Sequence, residues 1–396
     1  MFFTKTNYTA GCILQIAALS SVCFIASNLP AVAQSGGVEI SAEESRLDAT
    51  NRFWNRLNLG RAEPYALPYV ENDTPAAPAA SLVQTGESVS RAGAAPTVKV
   101  PFTSSDDRDA VTPIIHNGAG ERRDLSAPNM ISQRGYPFTS ARAGDRVVTR
   151  TYPWATIGKL VFVDAQGRNS WCSASVISKR LLLTAGHCLY DQGQNVFHTQ
   201  FVFYPAYDGT KKPVSPYCKW AWKRAIVPAE WAFGPWPSSH DFGLVQLRDK
   251  ACKGQPRRPI GDWVGWLGWA SNSLIGNHIT EMGYPGNLDG GSMMQQTNSE
   301  VRSRDFGNPI GVVGEIGSAQ SGGSSGGPWV QNFGIAPAGL VPIGTNLFAE
   351  PLRVVAVKSY GDASHNAWQY GGASILNSVF VDIWNTACAW QAGNCD

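Results

Sequence analysis

From about Tyr152 onward, short apolar runs follow one another, separated by Gly, Pro, Asn and Asp. The runs are Ile157 to Val163, Ala174 to Ile177, Leu181 to Thr184, Phe201 to Tyr204, Phe242 to Leu247, Ile310 to Val313 and Val354 to Ser359. Each has the length of a strand, and no helical period intervenes, so the pattern predicts an all-β sandwich or barrel. One helix is predicted at the C-terminus. There Ser374 can cap, and Ile375, Val379, Ile383 and Ala387 recur every fourth residue.

The pattern upstream is different. Lys5 precedes an apolar stretch from Gly11 to Ala26, and Ala31-Val32-Ala33 stands before Gln34. A basic start, a short apolar run and a small-residue site predict a cleaved signal peptide over residues 1–33 and hence export, to the periplasm or the medium. The run is too short and broken for a comfortable membrane span, although an uncleaved anchor is the competing reading. Residues 34–99 are poor in core material, and Pro75 to Pro96 is mainly Ala, Pro, Ser, Gly and Thr. Such a segment buries too little apolar surface to offset ordering entropy, so disorder is expected there. Residues 100–150 are intermediate: polar, Arg-rich and weakly periodic.

Composition narrows the choice of class. A 43% apolar content supports a sizeable core, and 41 Gly with 25 Pro suit a turn-rich fold. A net charge of +2 is too small to argue for nucleic acid or an anionic membrane surface, and neither is expected as a partner. Of eight cysteines, Cys12 and Cys23 lie in the signal segment. The remaining Cys172, Cys188, Cys218, Cys252, Cys388 and Cys395 are an even set in an exported chain, which suggests disulfides. No C-x-x-C pair supports zinc, so neither metal nor cofactor is expected.

Three motifs carry candidate chemistry, in the order His, Asp, Ser. Leu183-Thr184-Ala185-Gly186-His187-Cys188 closes an apolar strand, and His240-Asp241-Phe242-Gly243-Leu244-Val245 opens one. The third is Gly322-Gly323-Ser324-Ser325-Gly326-Gly327-Pro328. Amide hydrolysis needs a nucleophile, a base and a group that orients the base. Ser325 suits the first role, His187 the second and Asp241 the third. Asp191 and Asp262 are rival acids, and Ser324 is the rival nucleophile. Glycines around Ser325 allow the unusual dihedrals that aim N–H groups at a developing oxyanion, with Gly323 and Ser325 as donors.

These motifs resemble those of the chymotrypsin-like serine peptidases, and the resemblance covers roughly residues 150–396. It implies two six-stranded antiparallel β-barrels with the site between them, and a disulfide Cys172–Cys188 beside His187. Of the fifteen pairings open to six cysteines, the sequential one adds Cys218–Cys252 and Cys388–Cys395. Within the family, bacterial glutamyl endopeptidases are most similar, through Ser104-Ser105-Asp106-Asp107-Arg108, Tyr152-Pro153-Trp154, Ser273-Leu274-Ile275-Gly276 and Gly283-Tyr284-Pro285-Gly286. The implied organisation is a signal peptide (1–33), a pro-segment (34–99), an N-terminal extension (100–150) and a peptidase domain (151–396). The peptidase would act as a monomer on proteins or peptides. Trypsin-like zymogens carry an Asp where Ser324 stands, so Arg146-Val147-Val148 is not expected to act as a trypsin-like activation site. Ala319 puts no acid at the base of the S1 pocket, which disfavours Lys or Arg at P1. The strand Val354 to Gly361 resembles the pocket edge, so Lys358, Ser359, Tyr360 and Gly361, with Gln320, are the expected substrate contacts. Lys358 would supply a counter-charge to an acidic P1 side chain. A neutral pocket of broad preference, and an inactive homologue acting as a binding module, are the alternatives.

Overall fold

The computed structural model describes residues 36–68, 88–99, 130–131, 137–144, 146–273, 278–308, 310–334, 352–361 and 370–395. The signal-peptide assignment, the segment 104–108 and most of 273–276 lie outside the described residues. No helix among the described residues is long and apolar enough to cross a membrane.

Six antiparallel strands close a first barrel: β1 (Ile157–Val163), β2 (Asn169–Val176), β3 (Leu181–Thr184), β4 (Thr199–Pro205), β5 (Trp220–Pro228) and β6 (Gly243–Leu247). Their order is β5-β4-β1-β2-β3-β6, and Ile226 opposite Leu244 helps join the two ends. Alternation along β1 sends Leu160 and Phe162 into the barrel, against Cys172, Ala174, Phe201 and Phe203. Ile157, with Leu181, Leu183 and Leu244, faces a second cluster outside the barrel. Because both faces are covered, these strands read as apolar runs rather than as alternation.

The second half is a curled sheet of β7 (His278–Gly283), β8 (Gln295–Glu300), β9 (Arg302–Asp305), β10 (Val312–Ile316), β11 (Pro328–Gln331), β12 (Arg353–Gly361) and β13 (Gly371–Ile375). Its order is β9-β10-β13-β12-β11-β7-β8, extended by the strand Pro137–Arg142. No pairing joins its ends among the described residues, so this half is a curled half-barrel beside a closed barrel. The fold is chymotrypsin-like.

Two expectations are corrected at the level of elements. The C-terminal helix spans Ser378–Ala389, and its cap is Asn377, whose side chain accepts from the amides of Val379 and Phe380. Ser374 and Ile375 belong instead to β13. Chance apolar spacing at Ile375 extended the helical period backwards into a strand. Disorder over residues 34–99 does not hold for 36–68 and 88–99. Gly37–Ser41 pairs antiparallel with β5, and the helix Glu44–Phe53 leads to Trp54, which is buried against Val161, Trp171, Val202 and Tyr204. Ser90–Arg91 pairs with Gly268–Ala270. Composition measures what a segment can bury against itself; here it buries against another part of the chain.

Candidate active site

Cross-strand register brings the first two residues together. Thr184 at the end of β3 lies opposite Gly243 at the start of β6. The chain then makes a tight turn, Gly186–Cys188, at the barrel rim. A Cβ on Gly186 would stand 2.7 Å from the Trp231 ring, so the turn needs glycine. His187, three residues past Thr184, therefore meets Asp241, two residues before Gly243. His187 Nδ1 lies 2.7 Å from Asp241 Oδ2, and the His187 backbone N–H donates to Asp241 Oδ1 at 2.8 Å.

Asp241 is wholly buried and held on all sides. The Ser359 hydroxyl donates to its Oδ2 at 2.6 Å. Its own N–H donates to Ser374 Oγ at 3.1 Å, and that hydroxyl donates to the Ser238 carbonyl. A carboxylate held by these hydrogen bonds fixes the orientation of the imidazole. Behind His187, the buried His198 donates from Nε2 to the His187 carbonyl at 3.1 Å and stacks on Phe162. Burial pushes His198 down from its ordinary value to about 4, so it stays neutral.

Ser325 sits on the loop between β10 and β11. Gly323 and Gly326 have φ of +88° and +76°. A Cβ on Gly326 would lie 2.0 Å from Thr184 Oγ1 and 2.5 Å from the Ser173 carbonyl, and one on Gly327 would lie 2.2 Å from the Met282 carbonyl. The two glycines thus let the loop pass between the halves, where the Ser173 N–H takes the Ser325 carbonyl and the Gly326 N–H reaches the Lys358 carbonyl. The Gly323 N–H, an expected oxyanion donor, donates to the Tyr65 carbonyl at 3.0 Å. Ser325 Oγ and His187 Nε2 are both buried, and neither has a hydrogen-bond partner among the described residues.

The expected pocket residues are brought to one region but turn different ways. Lys358 is fully buried, with Nζ 2.8 Å from Glu281 Oε1, and the Ser318 hydroxyl donates to the other Glu281 oxygen. A Cβ on Gly371 would stand 2.1 Å from the Lys358 Nζ. Gln320 is buried and donates to Thr297. Ser359 faces Asp241. The Tyr360 side chain turns into a separate cluster with Val313 and Tyr370, and its hydroxyl donates to Glu315. The Ser359 and Tyr360 side chains, neighbours on β12, thus turn to different partners. The three sequential cystine pairs, Cys172–Cys188, Cys218–Cys252 and Cys388–Cys395, are present. Cys172 and Cys188 lie near His187, but their sulfurs are bonded to each other and offer no thiolate.

Sequence reasoning missed Glu281, Ser374 and Tyr65. An acidic residue inside the apolar strand Ile279–Met282 was a signal for the first. A serine in a strand carries none for the second, and Tyr65 sits in a segment read as disordered.

A closed barrel beside a half-barrel, with a His–Asp pair at the barrel rim and a glycine-flanked serine on the loop between β10 and β11, is consistent with the proteins that this chain resembles. The chain matches the trypsin family over residues 144–373, and it belongs to that family. It is 28% identical over 160 residues to the glutamyl endopeptidase of Bacillus licheniformis, a stretch covering 40% of this chain and 45% of that protein. The chain thus spans under half the length of this curated relative. Similar solved structures include protease Anisep of Arthrobacter nicotinovorans (26% identity, 59% of this chain, 96% of the other, TM-score 0.47). Another is a Glu endopeptidase in complex with MPD (19% identity, 63% of this chain, 96% of the other, TM-score 0.46).

Proposed function

We propose that this protein is a secreted serine endopeptidase with His187, Asp241 and Ser325 as its triad and no metal or cofactor in the reaction. The bond between His187 Nδ1 and Asp241 Oδ2 carries this reading. It sets the tautomer that leaves Nε2 unprotonated and free to take the Ser325 proton. Ser325 Oγ would then add to the substrate carbonyl, and the oxyanion would lie on the N–H groups of Gly323 and Ser325. The imidazolium, stabilised by Asp241, would protonate the leaving amine, and water would hydrolyse the acyl-enzyme by the same steps in reverse roles. Contact between Ser325 Oγ and His187 Nε2 is the distance expected to close when substrate binds.

For P1, two features bear on the choice. Lys358 at the pocket base, together with the relative that is a glutamyl endopeptidase, favours an acidic side chain, chiefly Glu. Glu281 favours a second reading: it already partners Lys358, so the base carries no net charge and suits a neutral polar side chain. We carry Glu as the first reading.

The test of the triad is labelling by a phosphonofluoridate after removal of residues 1–99. Ser325 is expected to take the label, and Ser325→Ala to lose the label and all peptidase activity while keeping its fold. Full turnover by Ser325→Ala, with a dead Ser324→Ala, would refute the assignment.

A further inference from the structure

The residues Glu63-Pro64-Tyr65-Ala66-Leu67-Pro68 pass from the candidate nucleophile loop at Gly323 to the end of β12 at Gly361. Glu63 and Pro64 pair parallel with Ser170 and Trp171 of β2, and the Tyr65 N–H donates to the Trp171 carbonyl at 2.9 Å. The Tyr65 carbonyl accepts from Gly323, the expected oxyanion donor, at 3.0 Å. Three residues later the Pro68 carbonyl accepts from the Gly361 N–H at 3.0 Å, and Leu67 lies over the bare face of Gly361. The Tyr65 ring is stacked over the His187 ring with centroids 6.1 Å apart, and it also meets His198 edge-on.

The polarity is the informative point. In a productive complex the S1 pocket holds the residue that owns the attacked carbonyl. The residues that precede it extend along β12. Here the residue on Gly361 follows the carbonyl on Gly323 instead of preceding it. We propose that residues Glu63–Pro68 occupy the substrate cleft in reverse, as an uncleavable ligand that holds the uncut chain inactive, and that the cleft accepts extended, proline-flanked peptides in this sense. The proposal rests on the peptidase reading for its consequence, and on the hydrogen bonds and side-chain contacts above for the binding. Reversal explains why such a strap would survive beside a competent nucleophile: the leaving nitrogen is on the wrong side of the carbonyl for protonation by His187. Anchoring explains why it would bind. The buried Trp54 and, further upstream, Gly37–Ser41 on β5 hold the chain that leads into the strap, so the strap acts at a high effective concentration.

Two measurements test it, both in the chain that starts at Gln34. The first is the rate of phosphonofluoridate labelling of Ser325, with intact mass confirming that the chain is uncut. Tyr65→Ala and Leu67→Asp are each expected to label faster than the parent by about tenfold or more, since either removes part of a tethered contact. The second does not depend on activity. In Ser325→Ala, residues 63–68 are replaced by Gly and Ser, and the labelled peptide Glu-Pro-Tyr-Ala-Leu-Pro is titrated against it. Saturable binding is expected, with none for the peptide of reversed sequence. If no chain labels yet the peptide binds, the peptidase reading fails and the reversed occupancy stands. Equal, non-zero labelling of uncut parent and both variants, absence of peptide binding, or cutting of the peptide after Tyr65 by the same replaced chain with Ser325 intact each overturns the proposal.

Discussion

Lys358 and Glu281 form a buried ion pair at 2.8 Å, with no exposed surface on either side chain. Breaking such a pair on one side leaves an uncompensated buried charge, a cost of about 3–5 kcal/mol. A substrate carboxylate entering here must share the Lys358 ammonium with Glu281. If the acidic reading holds, the parent cleaves after Glu faster than after Gln, and Glu281→Gln widens the gap by releasing the ammonium. Lys358→Met is expected to abolish the preference. The check is kcat/KM on matched peptides with Glu, Gln, Phe and Lys at P1. Gln equal to or above Glu in the parent, with Glu overtaking only in Glu281→Gln, establishes the neutral reading instead. Asp241 shows the same logic of satisfied charge: its carboxylate takes two donors from His187 and one from Ser359.

Among the elements, the loop between β10 and β11 is the most tightly determined. Gly326 combines φ of +76° with a would-be Cβ only 2.0 Å from Thr184 and 2.5 Å from the Ser173 backbone. Those atoms belong to β2 and β3 of the closed barrel, so they cannot move aside cheaply. Gly326→Ala is expected to cost about 3 kcal/mol or more and to displace Ser325, so activity falls further than stability. Thermal unfolding and labelling of Ser325, measured on one preparation, check this; a variant with parental Tm and labelling rate would contradict it. The motif Gly-Gly-Ser-Ser-Gly-Gly-Pro was readable because backbone geometry leaves its mark on residue type. The start of the C-terminal helix was not. Ser374 is a common cap residue, but its hydroxyl binds the Asp241 amide and the Ser238 carbonyl, contacts remote in the chain.

At the level of the whole molecule, the His-bearing turn is coupled to a buried neutral histidine. His198 has no exposed surface, and burial lowers it from its ordinary value to about 4. Above pH ~6.5 it is neutral both folded and unfolded and contributes no pH dependence. Below that the unfolded chain binds a proton that the folded chain refuses, so stability falls until about pH 4. A shift of this size corresponds to up to about 3 kcal/mol. Denaturant unfolding from pH 7 to pH 4 should show that loss, and His198→Phe should flatten it. An unchanged slope in the variant would assign the acid sensitivity to other groups.

The apolar runs, the helix near the C-terminus and the three motifs were legible in the chain, because strand period, turn chemistry and local backbone demands act within a few residues; the pairing Cys172–Cys188 was legible only through the family resemblance. Closure of the first barrel over an open second half depended on which strands met. So did the partner of Lys358: Glu281 lies on β7 and Lys358 on β12, far apart in sequence, and only pairing through β11 sets them face to face. The order in residues 36–68 arose the same way. A segment too poor to bury its own surface borrowed the barrel's, and what that placed in the cleft depends on contacts with β2, the loop at Gly323 and β12, which no local pattern encodes.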